Sequence, residues 1–415
     1  MEFFNVVSLS RARELLAELW PRGTETVRVG LLEAYGCLLA QGVAAPEDLP
    51  PFARATVDGY AVRAADTFGA SEALPALLRV TGEVVIGSAP GGTVAPGTAW
   101  RIPTGGMLPP GADAVVMVEH TEEVDPELLG VTRPVAPGEN VMGRGEDVPA
   151  GSPVLPAGRR LRAEDAGVLA ALGITEVDVS RRWRVAIVST GDEIVASGEK
   201  PGRGQVRDVN SYTLYGLVAA TGAVPRLYGT VRDDRASLRA VLERACAGGD
   251  MVLVSGGSSV GTRDVVLGVA REMGRLLFHG LAVRPGKPTA AVAVDRSLLV
   301  VLPGHPVSAL VVYLLLVEPL LLYGGYPWAE RVAEFPVRAA ITRSTRSAPG
   351  REDFLRVRVH AAGGRLLADP VLGKSGAIGT MVRSNGLAWI PPEKEGVEAG
   401  EEVLVRLLGP ITKEG

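Results

Sequence analysis

The 415-residue chain is poor in cysteine, histidine and lysine. Its two cysteines, Cys37 and Cys246, form no metal-binding or disulfide pattern, and its four histidines are too scattered for a zinc site. The net charge of -4 excludes a strongly basic surface that would attract nucleic acid or an anionic membrane. Residues 1–8 lack the basic start and long apolar run of a signal peptide. We therefore expect a cytoplasmic protein with no nucleic-acid or membrane partner.

Only one apolar run approaches the length of a membrane span. It covers residues 307–323, but Glu318 and Pro319 interrupt it, and it directly follows a strand-like segment and a Pro-Gly turn. This context predicts a buried helix of an α/β domain rather than a membrane anchor.

Glycine and proline are abundant, with 52 and 30 residues, which predicts many tight turns and much β structure. Apolar periodicity predicts helices over 8–20, 30–39 and 164–172, whereas strict alternation over 354–360 predicts a strand. Changes in residue pattern along the chain divide it into a helical and linker domain, a β-rich inserted domain, an α/β domain and a C-terminal β-barrel. Their expected bounds are 1–45 with 140–178, 46–139, 179–325 and 326–411, respectively.

The α/β domain contains four strand-like runs, each followed by a polar loop. The runs begin near Arg184, Arg226, Met251 and Leu298, and segments of helical period lie between them. This alternation predicts a parallel sheet covered by helices on both faces, and hence a three-layer, Rossmann-like domain. The loops at the carboxyl ends of such strands converge on one crevice.

The loop that follows the Met251 strand is rich in glycine and small hydroxyl residues: Ser255, Gly256, Gly257, Ser258, Ser259 and Gly261. Glycines let the backbone approach a ligand, and the N–H groups of such a loop and of the next helix bind anions. No Gly-Lys-Ser/Thr follows, so this is not a Walker loop. A surface turn could have the same composition, but the loop favours phosphate binding.

Carboxylates follow the same strands: Glu193, Asp233, Asp234 and Asp264. Alone, Asp264 could simply be an acidic residue that stabilises a helix N-terminus. Carboxylates gathered beside a phosphate loop repel one another unless a cation joins them. Mg²⁺ fits this role because it takes one or two carboxylates together with phosphate oxygens and water. We expect Mg²⁺ as the cofactor, held by Glu193, Asp234 and Asp264.

Two further loops of the α/β domain carry candidate anion-binding residues. In 283–288, Pro285 and Pro288 stiffen a loop that carries Arg284 and Lys287, and two fixed cations suit an anionic ligand. Ordinary surface charge is the alternative. The segment 303–308 contributes Pro303, Pro306 and Ser308, together with His305, which a turn could hold for structural reasons alone. In the β-rich domain, Asp58 and Thr104 lie in polar loops bracketed by glycine and proline.

In this order, the segments resemble the molybdopterin molybdenumtransferase family, which includes the C-terminal domain of gephyrin. The matching segments are 58–60, 102–106, 109–116, 144–147, 189–193, 231–234, 256–264, 284–288 and 303–308. Together they extend over nearly the whole chain. The sequence departs from the family at three points: Ser258 in the glycine loop, His305 where the family has asparagine, and Gly280 where a basic residue is common.

The resemblance implies that the α/β domain is of the molybdopterin-binding type and that the protein is an elongated homodimer. The implied substrates are adenylylated molybdopterin and molybdate: metal enters the dithiolene, and hydrolysis of the phosphoanhydride releases AMP. Glu193, Asp233, Asp234 and Asp264 would hold Mg²⁺ and orient the pyrophosphate, and Arg284 and Lys287 would bind oxyanions. Asp58 and Thr104 of the partner subunit would complete the cleft. A molybdopterin adenylyltransferase and recipient molybdoenzymes are the expected protein partners.

Two alternatives have the same fold. A molybdopterin adenylyltransferase should need only the α/β domain, so the flanking β domains argue against it. A cofactor carrier or scaffold would not need the carboxylate set. The sequence does not discriminate between molybdate and tungstate.

Overall fold

The computed structural model describes residues 6–20, 25–256, 262–323 and 335–413. The chain forms two compact units: residues 26–180 form one, and residues 1–25 together with 181–415 form the other.

The unit 26–180 contains a six-stranded sheet. Its strands, in spatial order, are Ala114–Met117, Gly59–Val62, Thr98–Ile102, Ala76–Glu83, Leu128–Val131 and Thr121–Asp125. One face buries Tyr60, Val62, Leu78, Val116 and Leu129 in a common core. The short strand Gly59–Val62 directly follows Asp58, so the sheet fixes the position of that loop.

Gly59 allows the closest backbone approach in this sheet. A Cβ atom at this position would overlap the backbone carbonyl oxygen of Val116 on the neighbouring strand. We expect Gly59→Ala to lower the free energy of unfolding by about 3 kcal/mol, because a backbone carbonyl has no free rotamer to which it can retreat. Chemical denaturation would measure this. Gly91→Ala, where a Cβ would meet nothing within 4 Å, should stay within about 0.5 kcal/mol of the parent; equal losses would contradict the overlap argument.

The rest of this unit consists of short elements. Its α-helices are Leu31–Ala34 and Ala163–Ala171, and its 3-10 helices are Ala64–Thr67 and Val118–His120. Its paired strands are Thr26–Gly30 with Glu176–Ser180, Val43–Ala44 with Pro153–Leu155, and Arg54–Ala55 with Val141–Met142. The helix predicted over 164–172 is confirmed, and Gly173 ends it in the left-handed region with φ 72°. The prediction of a helix over 30–39 was wrong beyond one turn, because Gly36 (φ 75°) turns the chain and Leu38 bridges to Arg160.

The other unit contains the α/β domain. Its six strands, in spatial order, are Val224–Val231, Arg184–Thr190, Met251–Ser255, Ser297–Leu302, Ala290–Val294 and Arg275–His279. The first four are parallel, as predicted, whereas the last two pair antiparallel at one edge. The helices are Leu9–Leu19, Asn210–Ala220, Arg235–Gly248, Thr262–Met273, Pro306–Val312 and Glu318–Tyr323. Separate cores on the two faces of the sheet make three layers.

One helix of the described residues, Pro306–Tyr323, is long and apolar enough to cross a membrane by length and composition, and 72% of it is buried. It packs in the core of the α/β domain, as the sequence predicted. Its middle turn, Tyr313–Val317, is π-helical. Arginines from outside the helix satisfy carbonyls of this turn: Arg13 Nε donates to Leu315 O at 3.1 Å, and Arg406 Nη1 donates to Leu314 O at 2.9 Å.

The C-terminal region contains a closed five-stranded barrel, as predicted. Around the barrel the strands are Val337–Ile341, Glu402–Leu407, Gly386–Ile390, Glu352–Ala362 and Arg365–Pro370, and the last pairs with the first. The strand Thr412–Lys413 also pairs with Glu352–Ala362. The short strand Val283–Arg284 of the α/β domain joins the edge of Glu352–Ala362, and this pairing places the proline-stiffened loop against the barrel. Four two-residue strands complete the unit as two pairs, Ile194–Val195 with Val206–Arg207 and Thr345–Arg346 with Gly396–Val397, together with the one-turn helix Gly379–Val382.

Candidate active site

The carboxyl ends of the parallel strands open onto a cavity of about 620 Å³. Its lining includes Ser189, Glu193, Ser255, Gly256 and His305, which come from three of the four strand-end loops. Gly304 and Pro306 also line it, whereas the rest of the wall is largely formed by the segment 205–210. The structure therefore brings Glu193, the start of the glycine loop and the 303–308 segment together, as the sequence predicted for a parallel sheet.

The two adjacent aspartates of the fourth loop have different surroundings. Asp233 Oδ1 accepts a hydrogen bond of 2.6 Å from Thr190 Oγ1, while its Oδ2 atom is buried without a hydrogen-bond partner among the described residues. Asp234 caps the helix Arg235–Gly248, and its Oδ1 accepts from the backbone N–H of Ser237 at 2.9 Å. That backbone N–H lowers the pKa of the Asp234 carboxyl. Asp234 thus has a structural partner, whereas Asp233 Oδ2 has none among the described residues.

Part of the predicted phosphate site is not covered by the structure. Gly257, Ser258, Ser259 and Gly261 lie outside the described residues. Asp264 lies in the first turn of Thr262–Met273, as predicted, but its side chain is not among those described. In the described part of the chain, no three His, Cys, Asp or Glu side chains lie together in a group that could hold a metal ion. The roles of these five residues stay predictions.

A second cavity, of about 730 Å³, lies between the proline-stiffened loop and the barrel. Its basic lining residues are Arg284, Lys287, Arg346, Arg351, Arg356 and Lys374. Among the described lining residues Asp353 is the one carboxylate, and it is already shared: Arg284 Nη1 lies 3.1 Å from its Oδ2, and Arg351 Nε lies 3.3 Å from its Oδ1. The cavity therefore carries a strong excess of positive charge.

The barrel fixes one of these cations, Arg356, in position. Arg356 donates from Nη1 to Thr380 Oγ1 at 2.8 Å and from Nη2 to Gly373 O at 2.7 Å. Burial and the neighbouring Arg284 lower the pKa of Arg356, which contacts no carboxylate among the described residues. The sequence predicted an anion-binding role for Arg284 and Lys287 but not for four cations of the C-terminal region. These barrel cations are Arg346, Arg351, Arg356 and Lys374. Among 38 arginines no local pattern distinguishes the three of the C-terminal region that reach this cavity, Arg346, Arg351 and Arg356.

The segment 303–308 contributes to both cavities. Gly304 and Pro306 line the first, Pro303 and Ser308 line the second, and His305 lines both. His305 Nδ1 lies 2.7 Å from Ser375 Oγ of the barrel region, and the backbone N–H of Val307 donates to Ser375 O at 3.1 Å. His305 and Ser375 thus stand where the two cavities adjoin.

In the unit 26–180, the structure brings Asp58 and Thr104 together. Asp58 Oδ1 accepts from both the backbone N–H and the hydroxyl of Thr104, each at 2.7 Å. These hydrogen bonds, the backbone one first, lower the pKa of the exposed Asp58 carboxyl. Two loops that are 46 residues apart in sequence therefore form one exposed, negatively charged feature.

A chain that combines a three-layer α/β domain, a β-rich unit and a closed barrel has the architecture of a multi-domain molybdopterin-binding protein. Three family models match the chain: the MoeA N-terminal region (domain I and II) over 7–173, a probable molybdopterin binding domain over 186–323, and the MoeA C-terminal region (domain IV) over 338–408. The chain belongs to the MoeA family, the molybdopterin molybdenumtransferases that its motifs resemble.

Similar proteins extend over almost the whole chain. Molybdopterin molybdenumtransferase 2 of Mycobacterium tuberculosis is 35% identical over 407 residues, which cover 96% of this chain and 98% of that one. The molybdopterin molybdenumtransferase of Bacillus subtilis is 32% identical over 397 residues, covering 92% and 90%. The crystal structure of the molybdopterin biosynthesis MoeA protein from Pyrococcus horikoshii OT3 has a TM-score of 0.81 at 34% identity, covering 97% and 100%.

Proposed function

We propose that this protein inserts molybdenum from molybdate into adenylylated molybdopterin and releases AMP. The observation that carries the proposal is the basic cavity of about 730 Å³, in which six cations surround one carboxylate. Fixed arginines and lysines suit a small oxyanion because their N–H groups form charge-assisted hydrogen bonds with its oxygens. The adjoining cavity, less charged and lined by the start of the glycine loop, has room for the organic substrate.

Residues in different parts of the two cavities have different proposed roles. Arg284 and Lys287, with the barrel cations, would hold the oxyanion beside the dithiolene, and the backbone from Ser255 onward would hold phosphate. The AMP phosphoanhydride would lie between them, near the point where the two cavities adjoin. Holding both reactants in one geometry lowers the entropic part of the barrier. We further propose that the protein is a cytoplasmic homodimer, in which Asp58 and Thr104 of one subunit complete the cleft of the other. Its proposed protein partners are a molybdopterin adenylyltransferase and recipient molybdoenzymes.

We also propose that Mg²⁺ assists this reaction. The buried Oδ2 of Asp233, which has no hydrogen-bond partner in the described part of the chain, and the cavity-lining carboxylate of Glu193 fit a hard cation, which takes oxygen ligands. Because Mg²⁺ in nucleotide sites commonly uses only one or two carboxylates plus phosphate oxygens, it does not require a larger cluster. Asp264 is the further candidate ligand; Asp234 is a weaker one because it caps a helix. When bound, Mg²⁺ would supply Lewis-acid stabilisation of phosphate charge.

The direct test is to incubate the purified protein with adenylylated molybdopterin, Mg²⁺ and molybdate, and to measure AMP. Molybdate-dependent AMP release would support the transferase, and a parallel series with tungstate would give the metal preference. Formation of adenylylated molybdopterin from molybdopterin and ATP would instead identify an adenylyltransferase. Binding of the cofactor without either reaction would identify a carrier.

Lys287→Ala should raise the apparent molybdate constant about tenfold, because a charge-assisted hydrogen bond contributes about 1.5–3 kcal/mol and each ~1.4 kcal/mol is a factor of ten. Titrating molybdate at saturating adenylylated molybdopterin, and then the reverse, would show which ligand the lysine serves. Lys394→Ala is the matched control, since Lys394 pairs with Glu401 away from both cavities. If both variants change each constant by less than about twofold, Lys287 is ordinary surface charge.

A further inference from the structure

His305 occupies a position that the proposed reaction has not yet used. It is the one described titratable side chain that lines both cavities. The ring has a single hydrogen bond among the described residues, from or to Ser375 Oγ at Nδ1. Gly376 lies near the same ring, because a Cβ added at Gly376 would lie 4.0 Å from His305 Cδ2. The ring is therefore held at the boundary of the two cavities, and Nε2 remains available to a ligand.

We propose that His305, in its protonated form, is an additional ligand of the oxyanion in the basic cavity. The proposal rests on the oxyanion site put forward above. A protonated imidazole donates from both nitrogens, so Ser375 can accept at Nδ1 while Nε2–H reaches an anion. Histidine is also the side chain whose charge changes between about pH 5 and 8.

The charged groups around His305 determine the sign of the effect. From the basic cavity it faces Arg284, Lys287, Arg346, Arg351, Arg356 and Lys374, with Asp353 already paired; from the other cavity it faces Glu193, Arg207 and Asp208. A bound dianion places negative charge beside the ring and so favours the protonated form. Oxyanion binding should therefore be accompanied by uptake of a proton at neutral pH, and it should weaken as pH rises.

The test is calorimetric titration of the full-length protein with molybdate between about pH 6 and 8, a range in which molybdate itself remains a dianion. The parent protein should bind about tenfold more weakly at the upper end, the loss of one charge-assisted hydrogen bond. Repeating the titration at one pH in two buffers of different ionisation heat should show proton uptake. His305→Asn should bind with a flat pH profile and without proton uptake.

Another of the four histidines of the chain, His120, serves as the control. His120→Asn changes a half-buried histidine of the unit 26–180, whose ring contacts Arg133, and it should keep both the slope and the proton uptake of the parent. A parent profile that is flat, or a slope that survives in His305→Asn, would overturn the inference. Failure of the parent to bind molybdate at any pH would be a different result, because it would overturn the oxyanion site and the proposed function with it.

Discussion

Asp233→Asn should reduce AMP release by at least about 100-fold, because a metal ion that offsets phosphate charge contributes several kcal/mol to the transition state. The substitution keeps an oxygen to accept from Thr190 Oγ1, but it removes the charge of the carboxylate whose Oδ2 is otherwise unpartnered. Turnover would be measured across a Mg²⁺ titration at saturating adenylylated molybdopterin and molybdate. Thermal unfolding of the same sample should change little.

Asp234→Asn is the matched control for this prediction. It makes the same chemical change one residue along, at a position where asparagine caps a helix as well as aspartate does. We therefore expect this variant to keep most of its turnover and its Mg²⁺ dependence. If the two variants lose activity equally, both carboxylates are involved. If Asp234→Asn alone is inactive, the metal assignment moves from Asp233 to Asp234.

Structural features that follow from a local sequence pattern could be predicted from the sequence. The four parallel strands were predicted because apolar runs alternate with helical segments, and Glu193 and Gly256 were placed at one rim because carboxyl ends of parallel strands converge. The barrel was predicted from strict alternation over 354–360, and the hairpin that follows this strand turns at Gly363–Gly364, whose φ angles are 56° and 77°.

Features that depend on pairing between distant segments were not accessible. The edge strands Arg275–His279 and Ala290–Val294 pair antiparallel, and an apolar run carries no information on strand direction. The barrel cations reach the basic cavity only because Val283–Arg284 pairs with Glu352 and Asp353, 69 residues away. The same limit applies to the two adjacent aspartates: sequence grouped them, whereas the helix that begins at Arg235 gives one of them a capping role.

Combining two variants that are each nearly inactive is expected to restore activity. Asp58 and Asp233 belong to different compact units, and the proposed homodimer places Asp58 of one subunit at the α/β site of the other. Asp58→Ala removes the carboxylate that holds Thr104, while Asp233→Asn removes the proposed metal ligand. Each variant alone should be nearly inactive, since both of its sites lack one component.

Mixed dimers of these two variants should contain one intact site each. If subunits exchange at random, half of the dimers are mixed and half of their sites are intact, so AMP release should recover to about a quarter of the parent value. Two affinity tags, one on each variant, would isolate the mixed dimer, whose turnover per dimer should be about half that of the parent. A tagged mixed dimer with no activity would show that Asp58 and Asp233 serve the same chain's site, because every such site would then still lack one of the two carboxylates.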